Sequence, residues 1–204
     1  MNILELIMTI SGVGAVMYYS LIRVPREQKK RFKMKVQELD KFYAITNKLQ
    51  ANTNIERTLI WRSENGGGVP RFGFQINLSA VYENYDPPFS SVKADYQELK
   101  ADDKFVSLLS KMYDQEFTAM YTADMPGGMI RDMNIRDGVT WSYFFKIGGD
   151  RSAFYFGQFD TSKQETPFQS NQGTDVHIAV NEIRKKYKKL NESTLRRIRE
   201  KLYL

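Results

Sequence analysis

The sequence has no cysteine and only one histidine, His177. Without cysteine there can be no disulfide scaffold, thiolate-ligated zinc, iron–sulfur cluster or thiol nucleophile. A single imidazole supports neither a histidine-based zinc cage nor a Ser-His-Asp triad. His177 therefore reads as an ordinary, partly buried residue in the first turn of the last predicted helix. The adjacent carboxylates Asp102 and Asp103 open another predicted helix, where the helix dipole accounts for them. No catalytic residue, metal or cofactor is expected, and the chain does not read as an enzyme.

A phosphate cradle is lacking as well. The stretch "IWRSENGGGVPRFGFQI", residues 60–76, contains Gly66-Gly67-Gly68, but Val69 and Pro70 follow where a P-loop needs lysine and a hydroxyl. The residues after it alternate as a strand, so no GxGxxG pattern opens a helix. The glycines read as a flexible loop at a sheet edge, with Arg62, Glu64 and Asn65 as its contact residues.

Charge is distributed unevenly. Residues 1–22 carry only Glu5, for −1; Arg23 to Lys35 hold seven bases against Glu27, for +6; residues 184–204 hold nine bases against Glu192 and Glu200, for +7. Since the whole chain carries +6, residues 36–183 carry −6. The basicity belongs to the two ends.

Ile3 to Ile22, "ILELIMTISGVGAVMYYSLI", is the one long apolar run, and Tyr18 and Tyr19 sit where an aromatic belt forms. It reads as a single transmembrane helix, residues 1–24. The competing readings are a buried core helix and a signal peptide, although only Met1 and Asn2 precede the run where a signal peptide has its positive region. The basic flank, residues 25–35, predicts a domain in the cytoplasm and the N-terminus outside, at the inner membrane. Arg26, Lys29, Lys30, Arg31 and Lys33 would rest on anionic headgroups, and Lys185, Lys186, Arg196 and Arg197 at the far end would serve the same surface or contact nucleic-acid phosphates. Leu195, Ile198 and Leu202 give the tail, residues 191–204, an amphipathic stripe.

Between these ends, residues 36–190 alternate strand and helix signals. Phe32, Val36, Leu39, Tyr43 and Thr46 recur at helical spacing. "RTLIW" and the alternating Phe72, Phe74, Ile76, Leu78, Ala80 and Tyr82 read as two strands. Asp102–Gln115 reads as a helix with Phe105, Leu108, Leu109 and Met112 on one face. Phe117–Asp124 is a third strand and Met125–Gly138 a loop with at most a short helix. "VTWSYFFKI" and "SAFYFGQFD" form a hairpin about Gly148-Gly149-Asp150, and Val176, Val180, Ile183, Tyr187 and Leu190 mark a last helix. The order favours an α+β fold: a mostly antiparallel five-stranded sheet with the first and last helices over one face. The terminal helices could also pair between protomers, so a homo-oligomer is expected.

The stretch "YTADMPGGMIRDMNIRDGVTWSYFFKIGGDRSAFYFGQFD", followed by "DVHIAVNEIRKKYKKL", resembles the second half of a GAF domain, in the GAF and PAS group of sensory domains. The layout is also similar to small phage-encoded membrane proteins with GAF-like domains. Among those are the holins of T-even type phages, whose globular domain faces the periplasm; the basic flank behind the apolar run predicts the opposite side here. The resemblance implies a sensory or regulatory binding module of phage or bacterial origin and carries over no catalytic residue. If the fold is GAF-like, Arg62, Glu64, Asn65, Tyr121, Asp124, Arg131, Trp141 and Tyr143 could approach one concave side of the sheet and hold a small ligand or protein partner. Otherwise these residues form surface salt bridges and fill the core. A holin-like pore-forming lysis protein and a nucleic-acid-binding or virion assembly component are the alternative functions.

Overall fold

A computed structural model describes the backbone of residues 39–64, 75–115, 117–149, 153–165 and 172–202, and the side chains of these except 113, 172 and 189–202. The apolar run, its basic flank, Asn65 and the three glycines after it lie outside the described residues. Among the described residues no helix is long and apolar enough to cross a membrane. The chain divides into two compact units, Met1–Ala44 and Ile45–Leu204. Of the first, residues 39–44 are described; they are helical, and Leu39 and Tyr43 are exposed.

The larger unit is built on an antiparallel sheet of six strands, not five. After helix α1, described over residues 39–52, come β1 (Arg57–Glu64), β2 (Asn77–Tyr85), β3 (Leu99–Lys100) and α2 (Asp103–Gln115). Then follow β4 (Phe117–Tyr121), a 3-10 turn (Thr122–Asp124), α3 (Met129–Asp137), β5 (Trp141–Gly149), β6 (Phe154–Thr161) and α4 (Gln172–Leu202). The sheet order is β3-β2-β1-β6-β5-β4. The additional strand, β3, pairs only Leu99 and Lys100 with Leu78 and Asn77, too few residues to show a period of two in the sequence. α4 runs unbroken across residue 190, where the sequence suggested a separate tail.

Strand alternation sorts the core into two layers. Leu59, Trp61, Leu78, Ala80, Phe144 and Phe156 face α2 and α3, where they meet Phe105, Leu108, Met112 and Ile130. The opposite face carries Tyr82, Asn84, Tyr143, Phe145 and Phe159 towards the terminal helices. There Asn84 Nδ2 donates to Thr46 Oγ1 (2.8 Å) and Gln50 Oε1 (2.7 Å) on α1, and Val176, Val180 and Ile183 of α4 are buried. α1 thus buries Ile45, Thr46 and Leu49, while Leu39 and Tyr43 of the expected stripe remain exposed.

The alternation read along β2 breaks after Ala80. Ile60 pairs with Tyr82 and Trp61 with Ala80, so Val81 is an extra residue and is 39% exposed. This bulge turns Tyr82 to the terminal-helix face although it shares parity with Leu78 and Ala80.

Gly157 lies opposite Phe145, and a Cβ there would come within 2.0 Å of the Phe145 ring. The ring itself packs on Phe159 at 4.6 Å between centroids. Glycine is thus required in "FYFGQFD" by close approach of a buried ring rather than by a turn. Gly157→Ala should lower stability by about 1–3 kcal/mol through overpacking, seen as a lower urea midpoint at unchanged slope.

Candidate functional site

In the aromatic layer under α2 and α3, the Trp61 indole is stacked between Tyr96 (centroids 5.4 Å apart) and Phe156 (6.0 Å), and Phe105 closes on Phe156 at 5.7 Å. Such buried rings contribute through both area and offset contact. The one polar atom of the indole is satisfied: Trp61 Nε1 donates to Gln158 Oε1 at 2.9 Å.

Gln158 belongs to a buried polar chain that crosses the sheet. Asp160 Oδ1 accepts from Gln158 Nε2 (2.8 Å) and Ser142 Oγ (2.5 Å), and Ser142 Oγ accepts from Asn134 Nδ2 (2.9 Å) on α3. Asp160 Oδ2 accepts from Arg57 Nε at 2.9 Å, and Arg57 Nη1 donates to Asp137 Oδ2 at 2.8 Å. Tyr96 Oη donates to the same Asp137 oxygen at 2.5 Å and accepts from Arg136 Nη2 at 2.8 Å. The Arg57 guanidinium also lies over the Phe89 ring, 4.7 Å from its centroid. Arg57, Asp160 and Asp137 are 1%, 0% and 8% exposed, so this is an interior ion network, and every charge in it has a partner.

The network explains α3. Ile130, Asn134 and Asp137 recur on it at spacings of four and three, with Met129 and Met133 packed against the core beside them, so polar and apolar residues share its inward side. That mixed composition weakens the helical signal in the sequence, where Met125–Gly138 reads as a loop with at most a short helix; the helix runs for nine residues. The helix ends on Gly138 in the left-handed region (φ 73°), whose N–H bonds back to the Asn134 and Ile135 carbonyls.

At the other end of α3, Asp102 serves two helices. Its Oδ1 accepts from the Phe105 N–H (2.7 Å), capping α2, and its Oδ2 accepts from the Met129 N–H (2.6 Å), capping α3. Gly128, at φ 147°, makes this convergence possible, since a Cβ there would lie 2.7 Å from Asp102 Oδ2. A groove opens beside this junction between α2, β4 and α3. It holds about 40 Å³, and its apolar lining is Phe105, Leu108, Met120, Met125 and Ile130.

Among the described residues, those expected to form one site fall into separate groups. Arg131 lines the groove. Trp141 and Tyr143 stack on each other (6.5 Å) on the terminal-helix face, Trp141 with Tyr121 at 5.1 Å and Tyr143 with Phe117 at 6.3 Å. Trp141 Nε1 donates to the Gln164 carbonyl at 3.1 Å. Arg62 and Glu64 form an ion pair at the end of β1, and Asp124 is exposed in the 3-10 turn. His177 is exposed rather than partly buried, its ring 5.9 Å from Phe117. Lys185 is exposed and Lys186 half-buried on α4; the side chains of Arg196 and Arg197 lie outside those described. Among the described residues no cluster of three or more acidic or histidine side chains is placed to hold a metal ion. Arg57, Asp160, Asp137 and Tyr96 are not singled out by the sequence; the local signal is the one charge that opens "RTLIW" and the one that closes "FGQFD", and Asp137 and Tyr96 have none.

Solved structures share this architecture. The GAF domain of a two-component sensor histidine kinase from Bacillus halodurans superposes with a TM-score of 0.51 at 8% identity, over 76% of this chain and 97% of that one. A GAF domain/HD domain protein from Geobacter sulfurreducens gives 0.52 at 9% identity, over 75% and 94%. The photoproduct state of a GAF domain from Synechocystis gives 0.54 at 12% identity, over 79% and 98%. The fold is that of a GAF domain. Identities this low carry the fold and nothing finer. No protein-family model matches the sequence, and the comparison with curated proteins returns no match. In this GAF fold the sheet face under α2 and α3 is occupied by the protein's own side chains, and the groove lies at the β4 side of that face.

Two outcomes follow from the network. Asp160→Ala leaves Arg57 with one partner in the interior and should cost on the order of 3–5 kcal/mol in chemical unfolding. Stability should also bend at both pH extremes. Burial pushes the Asp137 carboxyl up, but the hydrogen bonds from Tyr96 and Arg57 outweigh it and leave the carboxyl below its usual value. Its contribution is therefore complete above about pH 4 and is lost as pH falls through the depressed folded value. Burial and the bond to Asp137 hold the Tyr96 phenol well above its usual range. Its contribution is complete below about pH 10 and is lost as pH rises from there. Tyr96→Phe should remove the alkaline bend in a series of urea midpoints against pH.

Proposed function

We propose that the protein is a membrane-anchored, non-enzymatic regulatory module of GAF type, phage or bacterial in origin. Its globular domain is cytoplasmic and binds a small ligand or a protein partner. The observation that carries the reading is the order of the chain: a twenty-residue apolar run, a flank of seven bases, and then the helix that leads into a GAF-type sheet. GAF domains are sensory ligand-binding modules, which supports a binding role. The positive flank supports the cytoplasmic side, and the shared sign of the two chain ends supports one anionic lipid surface serving both. The exposed Leu39 and Tyr43 on α1, and Ile178 on α4, support association of copies through the terminal helices.

The full chain should sediment with membranes, resist extraction at high pH, and keep a C-terminal tag protected from external protease in intact spheroplasts. Recovery in the soluble fraction overturns the anchor. Cleavage from outside overturns the topology and favours the holin-like alternative.

A further inference from the structure

The geometry points to the groove between α2, β4 and α3 as a binding site for a small organic monocarboxylate, its short apolar body inside and its carboxylate at the rim beside Arg131. This inference rests on the regulatory reading above and names the ligand class for it.

Three observations carry it. The floor is apolar, built from Phe105, Leu108, Met120, Met125 and Ile130. The charged residues lining the groove are three cations, Lys104, Lys111 and Arg131, against one carboxylate, Asp102. The two oxygens of that carboxylate are already engaged by the backbone N–H groups of Phe105 and Met129, so it is committed to capping. Lys104 is 3.3 Å from Asp103, an exposed pair of little worth. Arg131 is half-buried, and its Nε, shielded from solvent, makes no hydrogen bond among the described residues. A shielded guanidinium N–H without an acceptor is costly, and an anionic oxygen is the partner that best relieves it.

Size narrows the ligand. A cavity of about 40 Å³ has room for roughly three water-sized groups at about 10–15 Å³ each, far below the ~300 Å³ or more of a drug-sized site. A nucleotide or a tetrapyrrole could not be enclosed in it. A chain of three or four carbons with a carboxylate does, and the flexible Met120 and Met125 thioethers can adjust around it.

The test uses the full chain in non-ionic detergent, with methionine methyl groups labelled for NMR. Butyrate is titrated against butyramide, its neutral counterpart of the same shape. Butyrate should shift the Met120 and Met125 methyl resonances saturably in the millimolar range, and butyramide should bind at least tenfold more weakly. Arg131→Met should weaken butyrate about tenfold, and Arg131→Lys should recover part of the loss. The wild-type comparison of the two ligands decides the point even if a variant folds poorly. Equal binding of butyramide, or no shift at either methionine, overturns the inference. Such a failure with the chain still membrane-bound and its C-terminus protected would remove only the ligand class, because fractionation and protease protection test the regulatory reading separately.

Discussion

Arg57 is a guanidinium almost entirely removed from water at the first position of the central strand, and the fold around it can be understood as the means of accommodating it. A buried cation is tolerated only with excellent geometry and complete pairing. Here the register of β1 against β6 sets Asp160 directly opposite, α3 brings Asp137, and the loop after β2 lays Phe89 across the guanidinium plane. Each of those partners is then constrained in turn. Asp160 also holds Ser142 and Gln158, and Asp137 also holds Tyr96, which stacks on Trp61. A single charge thus fixes the position of α3 over the sheet and the setting of the aromatic layer beneath it. Ion networks of this kind add less to net stability than their bond count suggests; they penalise every arrangement that leaves one member unpaired.

The strands were the legible part of this fold. Trp, Tyr, Phe and Ile alternate along β5, Phe recurs along β6, and a helical stripe follows, so the second half of the sheet and its covering helix can be read directly from the residues. What could not be read depends on pairing across long separations. Arg57 and Asp160 are 103 positions apart, and a lone charge at a strand end reads as a solvated terminus until the two strands are placed side by side. The bulge at Val81 leaves only a slight mark, an apolar residue between Ala80 and Tyr82 where the alternation calls for a polar one. β3 is too short for any period. The full length of α3 is obscured because Asn134 and Asp137 stand on its inward side, beside Ile130 and Met133, where a helix pattern needs leucine or valine.

The candidate site shows the same division. Eight residues were grouped by residue type and by the expectation of one concave face, but face depends on strand parity. Trp141 and Tyr143 are two apart on β5 and so share a side, which is the one under the terminal helices. Of those among the described residues, only Arg131 lines the groove between α2, β4 and α3. The GAF sheet here does not present an empty platform: Trp61, Tyr96, Phe156 and the polar chain fill its middle, and the remaining space is displaced towards β4.

That displacement gives Asp102 a further role. β4 is an edge strand, with one side of its backbone unpaired in the sheet, and edges of this kind invite pairing with other chains. The bond from the Met129 N–H to Asp102 spans 27 residues and closes a ring that contains α2, β4 and the 3-10 turn. The edge strand therefore lies within a loop that one carboxylate closes at its base. That closure limits how far the loop carrying β4 can move from the sheet, so the margin is restrained from outside the strand's own hydrogen bonds.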